Sequence, residues 1–524
     1  MANPKGGALA SLLKRAVAAH EEGNLLQAEL LYSQILEESP GHAAAHNLLG
    51  VLKFKRGDVD EALAHFDSAL QAQPSFADAF NSRGNAYRDL GRNDEALQSF
   101  ESGLKVAPGD PDLLYNRGIL LQQFGRHAEA AADLRKALAA DPSDPDVLCD
   151  LAVSLRAFGE DDEALELLRR ALRKKPDHAQ ALSNSGNALL ALGRTAAAIE
   201  SHHAAVAVDP GNADIRLNLA IAELSAGDWQ SGWRNYAWRH GAKQFHGRFR
   251  DFSQPLWRGD FALSGRTILL HAEQGFGDTI MFARYAPRVS ALGAKVILDV
   301  QPRLKRLFEG FEGVAQVVAS GETLPEFDCQ CPLPGLPLAF ATTPATVPGG
   351  FPYLSATAAA REKWRKRLSG GKALRVGIVW SGSREYAKDR ARSSALRDLL
   401  PIFAVPGARF ISLQKDVDAE DAALLASLGV DNTGSEQEDF YDAAGLVAEM
   451  DLVISVDTAI AHLAGAMAKN VWLMLAFAPD WRWMRERESS PWYPATRLFR
   501  QEKRTEGWTN AVRRIAEALG GLCS

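Results

Sequence analysis

Two loops that carry glycine or aspartate are the parts of this sequence best suited to chemistry. The first, His271 to Asp278, reads HAEQGFGD and leads into a helical pattern that we expect to begin at Thr279. Gly275 and Gly277 would let the backbone approach a bound molecule closely, because glycine lacks a side chain. Asp278 has two interpretations. It caps free backbone N–H groups, or it acts as a general base on an attacking hydroxyl.

The second loop, Asp457 to His462, reads DTAIAH and follows the apolar run LVISV. The N–H groups of Thr458, Ala459 and Ile460 would lie at a helix N-terminus, where the helix dipole favours a phosphate. Such a site would bind a diphosphate without a metal. His462, one turn along, is either a donor to a ligand or a histidine of the core.

A loop dense in cations, residues 381–393, lies between these two. Arginine binds phosphate through two parallel hydrogen bonds, so Arg392 is the first candidate for a departing nucleotide phosphate and Lys388 or Arg390 the second. A solvated basic loop is the alternative.

The next strand pattern ends in Ser-Leu-Gln-Lys, which places Gln414 and Lys415 near the same nucleotide. Gln414 would bond its base or ribose. Asp416 and Asp418 form an Asp-x-Asp pattern, which holds a metal in other transferases. Here it precedes a helical pattern, where acidic residues cap favourably, so we predict no metal site.

Composition excludes several classes of protein. The chain has 524 residues, is 46% apolar and carries a formal net charge of −6, so no global basic field favours nucleic acid. Four cysteines offer no zinc spacing, and Cys329 and Cys331 are poorly placed to bridge each other. No segment has the ~20 apolar residues of a spanning helix and the N-terminus has no leader pattern. We expect a cytoplasmic protein.

The elements that must position these loops follow an α/β pattern. Strand patterns occur in two series, 267–271, 295–300, 316–319 and 327–332, then 375–380, 410–413, 452–456 and 471–476. Helical patterns alternate with them, which predicts two Rossmann-like lobes. Ligands bind such sheets at the carboxyl ends of the strands.

Before residue 240 the chain has a 34-residue period. Prolines keep it at Pro40, Pro74, Pro108, Pro142, Pro176 and Pro210. Turn glycines keep it at Gly23, Gly57, Gly91, Gly125, Gly159, Gly193 and Gly227, and a column of small residues at Gly50, Gly84, Gly118 and Gly186. The pattern predicts an α-solenoid of helix pairs, six full repeats and an atypical seventh pair near Ala213.

One polar column of the repeats carries Asn116, Asp150, Asn184 and Asn218. Solenoids of this kind hold extended polypeptides in a groove lined by their first helices. The column either bonds the backbone of an acceptor in that groove or bonds only neighbouring helices.

The sequence divides into four regions. Residues 1–240 form the solenoid, 241–265 a linker, 266–368 an acceptor-side lobe and 369–524 a donor-side lobe. Aromatic residues from Trp229 to Trp257 span the first junction, and we expect them to fill a core rather than stack on a ligand.

Together the motifs EQGFGDTIMFARY, RSSAL, SLQK and DLVISVDTAIAHLAGAM, followed by APDWRWMRERESSPWYP, resemble those of bacterial tetratricopeptide-repeat glycosyltransferases. The C-terminal half is similar to the heptosyltransferase family, which has the GT-B fold. The order of domains, and the asparagine column, are similar to O-GlcNAc transferase.

The resemblance implies an inverting, metal-independent transfer from a nucleotide sugar, which is a substrate and not a cofactor. Heptosyltransferases place a catalytic aspartate in a turn that matches Gly277-Asp278, and they bind the donor phosphate with an Asp-Thr-Gly-x-x-His loop that matches Asp457 to His462. Ala459 stands where that motif has glycine, and it could crowd the phosphate.

Similar enzymes with a repeat arm glycosylate flagellin. The resemblance therefore implies a protein O-glycosyltransferase whose repeats hold an acceptor protein, flagellin among the candidates, while Asp278 activates its Ser or Thr. Two alternatives stay open. The acceptor is a lipid-linked or capsular saccharide, or the chain is an adaptor that only senses a nucleotide.

Overall fold

The computed structural model describes residues 4–245, 247, 249–382 and 392–523. Its contacts divide into two compact units, Met1–Ala188 and Leu189–Ser524. Among the described residues, no helix is both long and apolar enough to cross a membrane.

The first part of the chain consists of successive helices joined by short turns. They are α1 (Pro4–Glu21), α2 (Leu25–Glu38), α3 (Ala43–Arg56), α4 (Val59–Ala72), α5 (Ala77–Asp89), α6 (Asn93–Val106), α7 (Pro111–Gln123), α8 (His127–Leu138), α9 (Pro145–Arg156), α10 (Asp161–Lys174), α11 (Ala179–Ala191), α12 (Thr195–Val208), α13 (Ala213–Ala226) and α14 (Trp229–Tyr236). These are the six full pairs and the seventh, shorter pair that the spacing predicts.

The repeat columns have the physical roles expected from their residue types. All seven turn glycines have positive φ, between 71° and 91°, which favours glycine because other residues are strained there. A Cβ on Gly84 would lie 2.4 Å from the Phe100 ring, and one on Gly50 would lie 2.7 Å from the Phe66 ring. The two helices of a pair therefore cross closely, and the predictions for both columns are confirmed.

The second unit contains the helices α12 to α14 and two parallel sheets. Trp229 of α14 stacks on Trp492 with ring centroids 5.0 Å apart. The Trp233 indole donates a hydrogen bond to the Thr342 carbonyl at 3.0 Å. Both tryptophans are buried in a hydrophobic cluster that extends into both sheets. These aromatic residues fill a core, as predicted.

The first sheet has the order β3-β2-β1-β4, all parallel. Its strands are β1 (Thr267–His271), β2 (Lys295–Val300), β3 (Gln316–Ala319) and β4 (Cys329–Pro332). The helices around it are α15 (Phe276–Ala283), α16 (Ala286–Ala291), α17 (Lys305–Phe308) and α18 (Leu336–Ala339), and α19 (Ala358–Arg367) leads to the second sheet. Cys329 and Cys331 are buried on β4 as free thiols.

The second sheet has the order β10-β9-β8-β5-β6-β7, again all parallel. Its strands are β5 (Leu374–Val379), β6 (Ala408–Ser412), β7 (Asp431–Asn432), β8 (Leu452–Val456), β9 (Asn470–Leu475) and β10 (Thr496–Arg500). Its described helices are α20 (Leu400–Phe403), α21 (Ala419–Ser427), α22 (Phe440–Ala448), α23 (Ala459–Ala466) and α24 (Thr509–Cys523). The chain is thus an array of helical repeats followed by an α/β region with two parallel sheets.

Candidate active site

The predicted loops lie at the carboxyl ends of parallel strands. Both sheets share one order over four strands, β3-β2-β1-β4 in the first and β7-β6-β5-β8 in the second. The order reverses between β1 and β4 in the first sheet and between β5 and β8 in the second. The loops that follow the two strands of such a pair leave in opposite directions, which opens a crevice for ligands. The loop after β1 and the loop after β8 each stand at such a crevice.

The glycine loop after β1 caps helix α15. Gly275 is the N-cap and Phe276 the first helical residue, so the predicted helix start at Thr279 is wrong by one turn. Asp278 occupies the third helical position, and its Oδ2 accepts a hydrogen bond from the Gly275 N–H at 3.1 Å. An acidic residue that reaches back in this way resembles an N-cap in sequence, which explains the displaced start.

The other oxygen of Asp278 has a partner that sequence reasoning missed. Oδ1 accepts a charge-assisted hydrogen bond from Arg482 Nη2. Arg482 Nη1 also donates to Asp480 Oδ1 at 2.6 Å, and the guanidinium lies 4.5 Å from the Trp481 ring centroid. Arg482 thus links the two carboxylates. It belongs to the segment APDWRWMRER, which is recognisable as a motif in the sequence. Its contact with Asp278, 204 residues away, is not evident from the sequence.

The pKa of Asp278 is raised above its ordinary value. Burial is the largest cause, because a desolvated carboxylate resists ionisation, and the Arg482 charge acts in the opposite direction. A carboxylate with a raised pKa accepts a proton more readily than one in water.

Gly277 is the point where the glycine loop meets α23. A Cβ at Gly277 would lie 2.6 Å from His462 Cδ2. The position therefore needs glycine because a side chain of the second sheet's helix packs against it. At Gly275 a Cβ would meet only Asp278 Oδ2, at 3.3 Å.

His462 is a buried and neutral ring. Its Nδ1 lies 2.9 Å from the Tyr493 hydroxyl, and its ring centroid is 5.4 Å from that of Trp483. Burial lowers the pKa of His462 to about 3, and the Arg482 charge adds to the shift. The Nε2 atom, 3.7 Å from Asp457 Oδ1, belongs to an uncharged imidazole near neutral pH.

The loop after β8 ends at the N-terminus of α23, as predicted. Thr458 is the N-cap, and its Oγ1 lies 3.0 Å from Ser455 Oγ, so the side chain caps no backbone group. Burial raises the pKa of Asp457 to about 6, and the nearby Asp480 carboxylate adds to the shift. Ala459 is the first helical residue.

Arg392 approaches this loop from the strand exit of β5. Its Nη1 donates to the Asp457 carbonyl at 2.9 Å. Gln414 is buried after β6, and its Oε1 accepts from the Ser381 N–H at 3.2 Å. Lys415 Nζ donates to the Gln437 carbonyl. The predicted donor residue Lys388 lies outside the described residues.

A second ion pair that the sequence did not indicate fixes the start of the glycine loop. Arg239 and Glu273 form a buried bidentate ion pair, with N–O distances of 2.6 and 2.8 Å. The neighbouring Gln274 donates from Nε2 to the Tyr236 hydroxyl at 2.8 Å. The turn after α14 therefore fixes the start of the loop that carries Asp278.

The polar column of the repeats makes hydrogen bonds between first helices. Asn116 donates to Asn81 Oδ1 at 2.9 Å, Asp150 accepts from the Tyr115 hydroxyl at 2.8 Å, and Asn184 donates to Cys149 Sγ at 3.3 Å. Each partner precedes its column member by 35 residues. Asn218 is half-buried on α13. The column bonds neighbouring helices, and its contact with an acceptor stays a prediction.

The described residues contain no group of three or more His, Cys, Asp or Glu arranged to hold a metal ion. Asp418 caps α21 by accepting from the Asp421 N–H at 2.9 Å, as predicted for the Asp-x-Asp pattern. The site thus combines a carboxylate with a raised pKa, a helix N-terminus and an arginine near that terminus.

Comparison with known proteins supports the repeat assignment. Residues 81–145 match one tetratricopeptide repeat family, and residues 19–85, 121–184 and 189–231 match another. This part of the chain is a tetratricopeptide-repeat array. No glycosyltransferase family matches the chain.

Among curated proteins, the chain is 30% identical over 287 residues to Protein FlbA of Caulobacter vibrioides (strain ATCC 19089 / CIP 103742 / CB 15). The alignment covers 50% of this chain and 48% of FlbA, so the chain spans about half the length of this relative.

Similar solved structures include YrrB, described as a TPR protein with an unusual peptide-binding site. It is 26% identical, with a TM-score of 0.31, and the match covers 34% of this chain and 93% of YrrB. PilF of Pseudomonas aeruginosa is 20% identical, with a TM-score of 0.38, and the match covers 41% of this chain and 97% of PilF.

Proposed function

We propose that the chain is an inverting glycosyltransferase of GT-B type that acts on a protein acceptor. One observation carries the proposal. The glycine loop of the first sheet and the helix N-terminus of the second meet where Gly277 packs on His462, with Asp278 bound to Arg482 beside them. A base and a phosphate-binding helix start, contributed by two parallel sheets, suit transfer from a nucleotide sugar.

In the proposed reaction, the acceptor hydroxyl oxygen attacks the anomeric carbon of the sugar. Asp278 takes the hydroxyl proton as the new C–O bond forms, which requires its transient release from Arg482 or a shared contact with it. The bond from the anomeric carbon to the phosphate oxygen breaks, and the nucleotide leaves with the electron pair. Negative charge that develops on the phosphate is stabilised by N–H groups of residues 458–460 and by Arg392.

His462 serves this reaction as a neutral group. With a pKa of about 3, it carries no proton to give as an imidazolium. The Tyr493 hydroxyl fixes the ring at Nδ1, and one ring nitrogen of neutral histidine can donate a hydrogen bond. We assign it to positioning the sugar or its phosphate rather than to proton transfer.

We assign acceptor selection to the tetratricopeptide repeats, because arrays of this kind present extended surfaces to polypeptides. Flagellin is one acceptor to test. The polar column from Asn116 to Asn218 would then bond the acceptor protein. It would do so through the hydrogen-bonding atoms that its bonds between helices leave available.

Calorimetry with nucleotides tests the donor site. The full chain is titrated with UDP, GDP, ADP, dTDP and CMP, and the nucleotide that binds is retested on Arg392→Gln. We expect a loss of affinity of ~10-fold or more, since hydrogen bonds to charged groups contribute ~1.5–3 kcal/mol.

Arg397→Gln is the matched control for this experiment. Arg397 is an exposed residue five positions further along, and it pairs with Glu420 on the surface. Its loss should change affinity less than about twofold, as is typical of exposed pairs. Equal affinity in both variants, or no binding of any nucleotide, would refute the donor assignment.

A further inference from the structure

A cavity of about 360 Å³ lies beyond the carboxyl ends of β9 and β10, outside the site described above. Its size falls at the small end of the range of ligand pockets, ~300–1,000 Å³. Four arginines line it, Arg485, Arg487, Arg500 and Arg514. None of them is used by the proposed transfer reaction.

Arg500 is held in the cavity wall by carbonyl groups instead of carboxylates. Its Nη2 donates to the Trp483 carbonyl at 2.7 Å and its Nε to the Arg487 carbonyl at 3.1 Å. Its Nη1 is buried and has no hydrogen-bond partner among the described residues. Burial lowers the pKa of Arg500 to about 10, and the charge of Arg485 adds to that shift. Two guanidinium groups thus repel each other here.

Arg485 is fixed in a similar way. Its guanidinium lies 4.6 Å from the Phe477 ring centroid, and its Nη1 donates to the Leu190 carbonyl at 3.4 Å. Within the described part of the chain, neither Arg485 nor Arg500 forms an ion pair. Three exposed glutamates, Glu486, Glu488 and Glu502, also line the cavity. Glu502 pairs with Arg514 at 3.6 Å, and exposure weakens the effect of the other two charges on Arg485 and Arg500.

We propose that this cavity binds the phosphate group of a small molecule between Arg485 and Arg500. A phosphate would offset the repulsion between the two cations, and the planar guanidinium group matches its oxygens. The cavity volume accommodates a phosphate with a modest organic part.

The site is separate from the proposed donor loop. Trp483 stands between them, since its carbonyl accepts from Arg500 while its ring packs on His462. No residue of the Asp457 to His462 loop lines the cavity. The inference does not rest on the proposed transfer reaction, and each can fail alone.

Titration calorimetry of the full chain with inorganic phosphate tests the proposal. Arg485→Gln should weaken the affinity ~10-fold or more, as expected for loss of a charge-assisted hydrogen bond. The matched control, Arg497→Gln, removes an exposed arginine of β10 outside the cavity and should change affinity less than about twofold. Arg392→Gln should retain the binding that depends on Arg485.

Equal affinity in the Arg485→Gln and Arg497→Gln chains would overturn the proposal, and so would loss of all phosphate binding in Arg392→Gln. A parallel titration with glucose 1-phosphate identifies the source of the phosphate. Tighter binding than inorganic phosphate supports a phosphorylated metabolite, and equal binding supports the free ion.

A measurement on the unmutated chain avoids any effect of substitution on folding. Phenylglyoxal modifies accessible guanidinium groups, and mass spectrometry reads each site separately. Inorganic phosphate should slow modification of Arg485 at least about threefold while leaving Arg497 unchanged, because only the former is covered by the ligand. Equal rates at Arg485 with and without phosphate would contradict the site.

Discussion

Asp278 is subject to two opposing effects. Burial raises its pKa, while the Arg482 charge, bound to the same carboxylate, lowers it. The pair resembles other buried ion pairs, in which loss of one partner leaves a charge without compensation. In the proposed reaction Arg482 is therefore a positioning residue, and its charge lowers the pKa of Asp278 against the effect of burial.

Replacing Arg482 should move the acidic limb of the activity profile. In Arg482→Gln the lowering effect is lost, so the pKa of Asp278 rises further and the ionised base persists only at higher pH. An opposite charge at close range shifts a carboxyl pKa by ~1–3 units, so we expect a displacement of about one unit or more. The measurement is kcat/KM for transfer against pH.

Arg482→Lys is the conservative control and should keep the limb closer to that of the wild type, because it retains the charge. A profile in Arg482→Gln that is unchanged, or that moves to lower pH, would show that Arg482 does not tune Asp278.

Residue identities in the site were predictable only in part. Asp278, Asp457, Thr458 and His462 follow strand patterns, and the carboxyl ends of parallel strands meet at one edge. Arg482 follows β9 in an aromatic segment without periodicity, so nothing in the sequence indicated its partner. Likewise Gly277 looked like a contact for a ligand, whereas the structure packs His462 there.

At the scale of elements, the contact between α15 and α23 gives a prediction. Gly277→Ala places a methyl group 2.6 Å from His462 Cδ2, and His462 is held by Tyr493, so one of the helices must shift. Overpacking of this kind costs ~1–3 kcal/mol. Denaturant unfolding monitored by tryptophan fluorescence measures it, since every tryptophan lies at or beyond residue 229.

Gly275→Ala serves as the paired variant. Its φ of −69° suits alanine, and the added methyl group meets only a carboxylate oxygen at 3.3 Å. We expect it to lose less stability than Gly277→Ala. The reverse order would contradict the packing argument.

The polar column of the repeats gives a prediction for Asp150. Burial raises its pKa to about 6, although its bond from Tyr115 acts in the opposite direction. The unfolded chain loses this proton near pH 3.8, so between about pH 4 and pH 6 the folded state binds more protons. Stability therefore falls as pH rises through that window and stays reduced above it.

Asp150→Asn should remove this cost and still accept the Tyr115 bond. We expect the variant to be more stable than the wild type by about 1–2 kcal/mol at pH 8, with little difference at pH 4. Hydrogen exchange of peptides from α9, compared at equal pH, reports it. Lower protection in the variant at pH 8 would show that the ionised Asp150 carboxylate stabilises the repeats.

Elements differed in how far the sequence predicted them. The helix pairs were predicted well because glycine, proline and small-residue columns recur with one period. Strands β1, β2, β3 and β8 match the predicted bounds, and four more are shifted by one or two residues. β7 was missed because it has two residues, and β10 because its charged residues obscure an apolar run.

At the scale of the whole molecule, the chain has two compact units and a division of labour that we propose for them. The period of the sequence continues through α14, yet α12 to α14 belong to the same unit as both sheets. Packing of Trp229 on Trp492 explains this, because tertiary burial outweighs the repeat pattern. Such a contact joins distant parts of the sequence and has no periodic signature.

The most direct test of the account is the intact mass of an acceptor protein. Proteins captured by the full chain, and purified flagellin, are incubated with a panel of nucleotide sugars and the wild type, Asp278→Ala or Asp251→Ala. Asp251 is exposed and lies outside the site. We predict that the acceptor gains the mass of a sugar with the wild type and with Asp251→Ala. With Asp278→Ala the rate of this gain should fall at least ~100-fold, as for removal of a general base. An equal rate with Asp278→Ala, or no increment with any chain, would contradict the account.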